Sequence, residues 1–416
     1  MQFFSQGLLA NNIGIEDNVM EVGSFYMPVV GNKEEIEKGM AGKRTDLYQR
    51  MLQELTEQVQ YMDEHGYYGM GTTEHHFHIE GEEVSTNPVL LNLYFGMQTK
   101  NMKFGQLGNV LPAHNPVRLA EDIAMVDQML NGRTFAGFAR GYQPRWVSTL
   151  GQQLNGMASA NELGDAGYDA LKKEVYYDHF DIIMKAWSND TFSHNSKFWQ
   201  IPTPNTYWNT HEVTRKYGQG VDENGILTEV GIAPPTFNKR MPDLFQPFSV
   251  SASSIEWAQE NDVTPITIIT NKEVAQSHIR AAKEAADKAG KPYRMGMTRE
   301  VYVADTDEEA YQIAKDGGNY IWCNFFQPFG FNAAVANPGE SPFDVPNNFE
   351  TMVERGLVIY GSPDTVKRKF EQLFTDLPCD YFWLFTYNGL VPQHQMMRHY
   401  ELLTEQVLPH FTDKIK

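Results

Sequence analysis

The chain predicts an α/β fold, a (β/α)8 barrel with loop insertions, on three observations. Eight short apolar runs alternate with stretches of helical periodicity, the order left in a sequence by parallel strands joined through crossovers. No internal repeat, low-complexity tract or long linker divides the 416 residues. A single barrel reaches that length when its loops carry insertions, so one domain over 1–416 is expected, and eight units favour a closed barrel over an open doubly wound sheet.

The first strand is VGSFYMPVV (22–30), and YQRMLQELTEQVQYMDEHG (48–66) follows as a helix with Leu52, Leu55, Val59 and Met62 spaced by three and four. Strand two, YYGMGTTE (67–74), leads to a helix from Pro88 to Met97, and strand three is MKFGQLGNVLP (102–112). The next helix announces both ends: Asn115 suits its N-cap, Pro116 its first position, and Gly132 lies past its last turn. TFAGFAR (134–140) is strand four, ahead of a long helix near 164–188. FQPFSVSA (245–252), VTPITII (263–269), MGMTREVYVA (295–304) and DYFWLFTYN (380–388) complete the strands, with helices near 254–261, 272–289, 307–316, 363–375 and 393–407.

Composition narrows the partners. With 53 acidic against 34 basic residues the net charge is −19. Phosphate backbones and anionic membranes are held by clustered Lys and Arg, so neither is expected, and small molecules remain. No apolar run is long enough to span a bilayer. The opening MQFFSQGLLANNIGIEDN carries no basic stretch followed by an apolar one, so no secretory signal is legible and a cytoplasmic protein is expected. Cys323 and Cys379 allow at most one disulfide and form no C-x-x-C pair, which fits two structural thiols.

TTEHHFHIEG (72–81) sets Glu74 beside His75, His76 and His78 at the end of strand two, on the face where such barrels place their chemistry. Three readings apply: a metal site, a proton-transfer site, or polar packing. Strand alternation would put His76 and His78 on one face, yet no further ligands stand at zinc-binding spacing. Proton transfer by His75 is favoured, and no metal is expected.

Two other stretches suit an anion. In FSVSASSIEWA (248–258), Ser253 and Glu256 have the spacing of a capping box, and the N–H groups of that helix start could converge on a phosphate with the hydroxyls of Ser251 and Ser254. An ordinary serine-rich cap is the alternative. In FARGYQPRW (138–146), Arg140 ends strand four with Gly141 behind it to turn the chain, a placement suited to forked contact with phosphate oxygens or, equally, to pairing with a carboxylate.

TTEHHF, GNVLPAHNPVRLAEDIAMVDQMLNGR, FARGY, SVSASSIEWA and YGSPDTVKRKFEQL with VLPHF, in this order and spacing, resemble the bacterial luciferase-like flavin-dependent monooxygenases over residues from about 20 to 410. The resemblance implies a barrel enzyme that takes reduced FMN from a separate reductase. With oxygen it would form a flavin C4a-hydroperoxide and oxidise a small apolar substrate such as an aldehyde, ketone or hydrocarbon. It also implies a homodimer or a heterodimer with a related chain. A deazaflavin-dependent hydride-transfer enzyme and a non-catalytic flavin-binding protein are the alternatives on the same barrel.

Position by position, His75 matches the family's proton-handling histidine, Arg140 its phosphate-binding arginine, and Ser251 with Ser254 its phosphate-binding helix start, in the run Ser251, Ala252, Ser253, Ser254. Leu107 and Gly108 fall where luciferase has a non-prolyl cis peptide against the flavin ring. Ala139 stands in place of a reactive cysteine, Val250 in place of an acid, and Asn115 in place of a second histidine, so light emission is not implied. Insertions are expected at about 190–245 and 324–348. The latter carries five Phe residues and suits a lid or substrate pocket; the former, with KFWQIPTPNTYW, would be a second cover or a simple anchor.

Overall fold

The computed structural model describes residues 20–155, 160–387 and 389–411. Asn388, the expected last residue of strand eight, and both chain ends lie outside them. The eight expected strands all form: β1 (Glu21–Met27), β2 (Gly69–Thr72), β3 (Lys103–Gln106), β4 (Thr134–Ala139), β5 (Asp243–Gln246), β6 (Thr264–Thr267), β7 (Gly296–Val303) and β8 (Tyr381–Tyr387). Each pairs in parallel with the next, and β8 returns to β1 in register from Glu21 opposite Tyr381 to Met27 opposite Tyr387, which closes the barrel. Most are shorter than their apolar runs suggest. Apolar residues past a strand's end are buried beneath loops, so burial outlasts the ladder.

The crossovers run through α1 (Thr45–Glu64), α2 (Pro88–Gly96), α3 (Pro116–Met129), α4 (Ala160–Ser188), α5 (Ala252–Glu260), α6 (Lys272–Ala289), α7 (Asp307–Asp316), α8 (Pro363–Asp376) and α9 (Gln393–Leu402). Asn115 caps α3 as expected, its Oδ1 accepting the N–H groups of Val117 and Arg118 at 3.1 Å, and Pro116 loses no bond at N1. Among the elements that sequence reading did not reach are a helix at Pro144–Asn155 and a strand at Val358–Gly361 that extends the sheet beside β7.

The bottom of the barrel is plugged by aromatic side chains. Tyr68, Phe135, Phe245 and Trp383 meet edge-on or tilted at centroid separations of 5.3–6.3 Å. Tyr68 donates to Asp243, which also pairs with Lys103. Filling that end with rings leaves the opposite end, where the strands terminate, for a site. Cys323 and Cys379 are not joined by a disulfide. Among the described residues no helix is long and apolar enough to cross a membrane.

Candidate active site

At the C-terminal ends of the strands lies an open cleft. Its floor is the turn after β3, where Leu107 and Gly108 are joined by a non-prolyl cis peptide. A side chain at Gly108 would place its Cβ 2.8 Å from the Gly137 carbonyl, so glycine alone fits between the strand ends. Phe248, Ile268, Phe329 and Phe331 supply apolar walls. The last two belong to the expected insertion at 324–348, which therefore walls the cleft. The insertion at 190–245 contributes nothing to it. That segment is anchored instead, with Trp199 donating to His179 Nε2 at 2.8 Å.

One wall is polar and buried. His75, only 5% exposed, sits after β2 with Nδ1 3.1 Å from Thr73 Oγ1. Its Nε2 faces Glu83 Oε1 at 3.1 Å and the Tyr142 hydroxyl at 3.3 Å. Tyr142 donates to Glu83 Oε1 at 3.1 Å, and Gln143 donates to Glu83 Oε2 at 2.9 Å. The backbone enters the left-handed region at Glu83 (φ 49°), a costly conformation for a side chain of this size, and one often found where a group must be aimed at a site. Burial pushes the Glu83 carboxyl well above its ordinary range and the His75 imidazole well below its own. Both shifts run the same way, favouring a proton on the carboxyl beside a neutral imidazole across 3.1 Å.

Glu74 behaves differently. Burial alone would raise it, but His114 and His76, at 2.8 and 2.9 Å, bring its carboxyl down to about 2. It also accepts the Val110 N–H at 2.6 Å. His114 is raised in turn: burial would lower it, and Glu74 overrides that. The expected sharing of a face by His76 and His78 does not occur. β2 ends at Thr72, so the two-residue alternation stops before either histidine. His76 turns to Glu74 while His78 donates to Gln143 Oε1 at 2.9 Å. Among the described residues no three His, Cys, Asp or Glu side chains are placed to hold a metal.

The other end of the cleft is cationic. Arg140, at the end of β4, lines it beside Lys172 of α4. Both reach the exposed Asp169, at 3.4 and 3.7 Å, so two cations share one carboxylate in a chain of strongly negative net charge. Lys172 is buried and donates to the Gly141 carbonyl at 3.0 Å; burial draws its pKa down despite Asp169. Gly141 takes φ 74°, and a Cβ there would meet Val110 and Val147 at 2.6 and 2.7 Å.

Ser254 borders this end and donates to Gln246 Oε1 at 3.2 Å. Ser251, Ala252 and Ser253 are exposed on the adjacent turn and do not line the cleft. The expected Ser253–Glu256 capping box is absent. β5 stops at Gln246, Phe248 turns left-handed (φ 52°), and Ser251 in extended conformation begins the helix two residues early, accepting the Ser254 N–H at 3.4 Å.

Glu83, Tyr142, Gln143 and Lys172 were not reached by sequence reading. Tyr142 and Gln143 do lie inside the FARGYQPRW stretch, next to a turn-forming glycine, which is the one signal that pointed near them.

A family profile described as luciferase-like monooxygenase matches residues 20–379. The 3,6-diketocamphane 1,6-monooxygenase of Pseudomonas putida is 28% identical over 300 residues, 69% of this chain and 74% of that protein. The oxygenase component of the flavin-dependent trigonelline monooxygenase of Acinetobacter baylyi is 26% identical over 298 residues, 70% and 69% of the two chains. Among solved structures, the oxygenating constituent of 3,6-diketocamphane monooxygenase from P. putida, a type II Baeyer–Villiger monooxygenase in complex with FMN, superposes with a TM-score of 0.70 at 23% identity, covering 96% of this chain and 99% of that one.

Proposed function

The chain belongs to the luciferase-like monooxygenase family, and from that premise we propose that it is the oxygenase of a two-component system. It takes reduced FMN from a separate reductase and uses O2 to oxidise a small apolar organic substrate, with a cyclic ketone as the first class to test. The observation that carries the reading is one cleft with an anion-ready end at Arg140 and Lys172, an apolar middle, and a buried acid–imidazole pair at Glu83 and His75.

The cleft fits FMN on its own residues. Arg140, Lys172 and Ser254 would hold the phosphate, since a dianion relieves the excess of cation that Asp169 alone leaves. Ser251, Ala252 and Ser253 would contribute through the helix start they form. Leu107 and Gly108 would lie against the ring. When bound, reduced FMN supplies the two electrons with which one oxygen atom enters the substrate and the other leaves as water. His75 Nε2 would accept the proton of Glu83 and donate it to the oxygen atom that leaves as water, a role that needs an imidazole kept neutral beforehand. Phe248, Phe329 and Phe331 exclude water from that exchange.

Large exposed apolar side chains on the packed pair α2 and α3, with Leu90 and Met97 at 63% and 71% exposure and Tyr94, Met125 and Met129 beside them, support a homodimer or a heterodimer with a related chain. The test of function is anaerobic titration with reduced FMN and reduced riboflavin, then admission of oxygen with a bicyclic ketone. FMN is expected to bind at least tenfold more tightly than riboflavin, with product formed only when substrate is present. Failure to bind reduced FMN would overturn the reading.

A further inference from the structure

A second cleft, open to solvent, shares Phe329 with the first. Its walls include Met40, Tyr320, Phe325 and Phe329, and into it opens Glu82. Glu82 is only 7% exposed, yet among the described residues its carboxylate accepts no hydrogen bond and has no cation beside it. The two other charges of the cleft, Glu80 and Arg145, satisfy one another at 2.7 Å. A carboxyl so largely shielded, with its oxygens open only to the cleft, has neither a donor nor a counter-charge from the protein, which leaves the cleft to supply its partner.

We propose that this second cleft is a binding site for a monovalent organic cation, a quaternary or protonated alkylammonium group, held by the Glu82 carboxylate and the rings of Tyr320, Phe325 and Phe329. Rings and an acid without donors suit an ammonium that offers its charge through methyl groups, because neither partner then demands a directed hydrogen bond. The Tyr320 ring already attracts a cation: the Nζ of the exposed Lys33 lies 5.8 Å from its centroid. A divalent metal is the poorer occupant, since Glu80 is engaged by Arg145 and no further carboxylate lines the cleft. The site stands apart from the flavin reading, and its test needs no flavin.

Flavin-free protein is titrated with choline and with 3,3-dimethyl-1-butanol, its uncharged isostere, following the methyl resonance of Met40. Choline is expected to bind saturably and at least tenfold more tightly than the alcohol. Burial holds the Glu82 carboxyl up at about 7, so choline affinity should increase as pH rises through that value. Glu82→Gln should abolish the preference for the cation, and Tyr320→Leu should weaken choline several-fold. Should Glu82→Gln misfold by circular dichroism, Met40→Arg, which sets a guanidinium at the rim, is expected to abolish choline binding. Equal affinity for the two ligands, no saturable binding, choline binding unchanged by Glu82→Gln or by Met40→Arg, or competitive displacement by calcium chloride would each overturn the proposal.

Discussion

Two buried glutamate–histidine pairs lie nine positions apart in one loop and are held in opposite states. Glu74 faces two imidazoles and a backbone N–H, and their combined pull overcomes burial to keep it ionised at about 2. Glu83 faces His75 at 3.1 Å and His78 at 3.5 Å, both neutralised by burial, with a phenol and an amide donating to it, and burial wins, raising the acid and lowering the bases. The same two residue types thus give a fixed ion pair under the loop and a neutral pair with a transferable proton on the cleft wall. Donor count and burial, rather than the identity of the residues, decide which is structural and which is chemical.

The largest effect expected is at the second pair. His75→Ala should lower product formation by about 10²–10⁴-fold while leaving the affinity for reduced FMN unchanged, read by single-turnover assay and anaerobic titration. His76→Ala, which touches only the fixed pair, should leave product yield within about twofold, well inside what one surface residue contributes. Equal losses in the two variants would erase the distinction.

Glu74→Gln should act on stability, by about 1–3 kcal/mol, because it removes the buried carboxylate that the half-buried His114 and His76 share. Its pH dependence identifies the cause. A carboxyl lowered from 4.5 to about 2 on folding stabilises above the higher value and loses that contribution as pH falls toward the lower one. His114, raised on folding, contributes below its ordinary 6.5 and loses that contribution as pH rises through its folded value. The gap between wild type and variant, measured by urea denaturation, should be widest near pH 5–6, narrow as pH falls below 4.5 and close only near about pH 2.

Smaller effects belong to the cationic end. Arg140→Ala should weaken reduced FMN by about 1.5–3 kcal/mol, the scale of a charged hydrogen bond, and spare riboflavin. Ser251→Ala should cost about 1 kcal/mol of stability through its helix cap and change flavin affinity less than Arg140→Ala does. If it changed affinity more, Ser251 would be a direct ligand.

The barrel was legible because eight apolar runs and the capped α3 each carry their own local signal. The strand at Val358–Gly361, no shorter than β2, β3, β5 or β6, lies outside the closed ring of eight and so adds nothing to the pattern of a barrel. His75 and Arg140 were reached through stretches whose residue types imply chemistry on their own. Glu83 was not, since its meaning depends on Tyr142, 59 residues away, and on a burial that a polar loop does not advertise. Lys172 likewise reads as one more surface lysine until α4 packs it beneath Gly141. The serine cap was misplaced because its start depends on where β5 stops, which is set by a left-handed turn at Phe248 that no local residue preference announces.

The position of the proton in the cleft-wall pair decides whether His75 can act as proposed. Difference infrared spectroscopy at pH 7, wild type against Glu83→Gln, reads it without any substrate. The expected result is a protonated-carboxyl stretch lost in Glu83→Gln and retained in Glu74→Gln, with the His75 nitrogens showing a neutral imidazole by ¹⁵N resonance. A Glu83 carboxyl found ionised beside a charged His75, or a protonated-carboxyl stretch that vanishes with Glu74 instead, would contradict it.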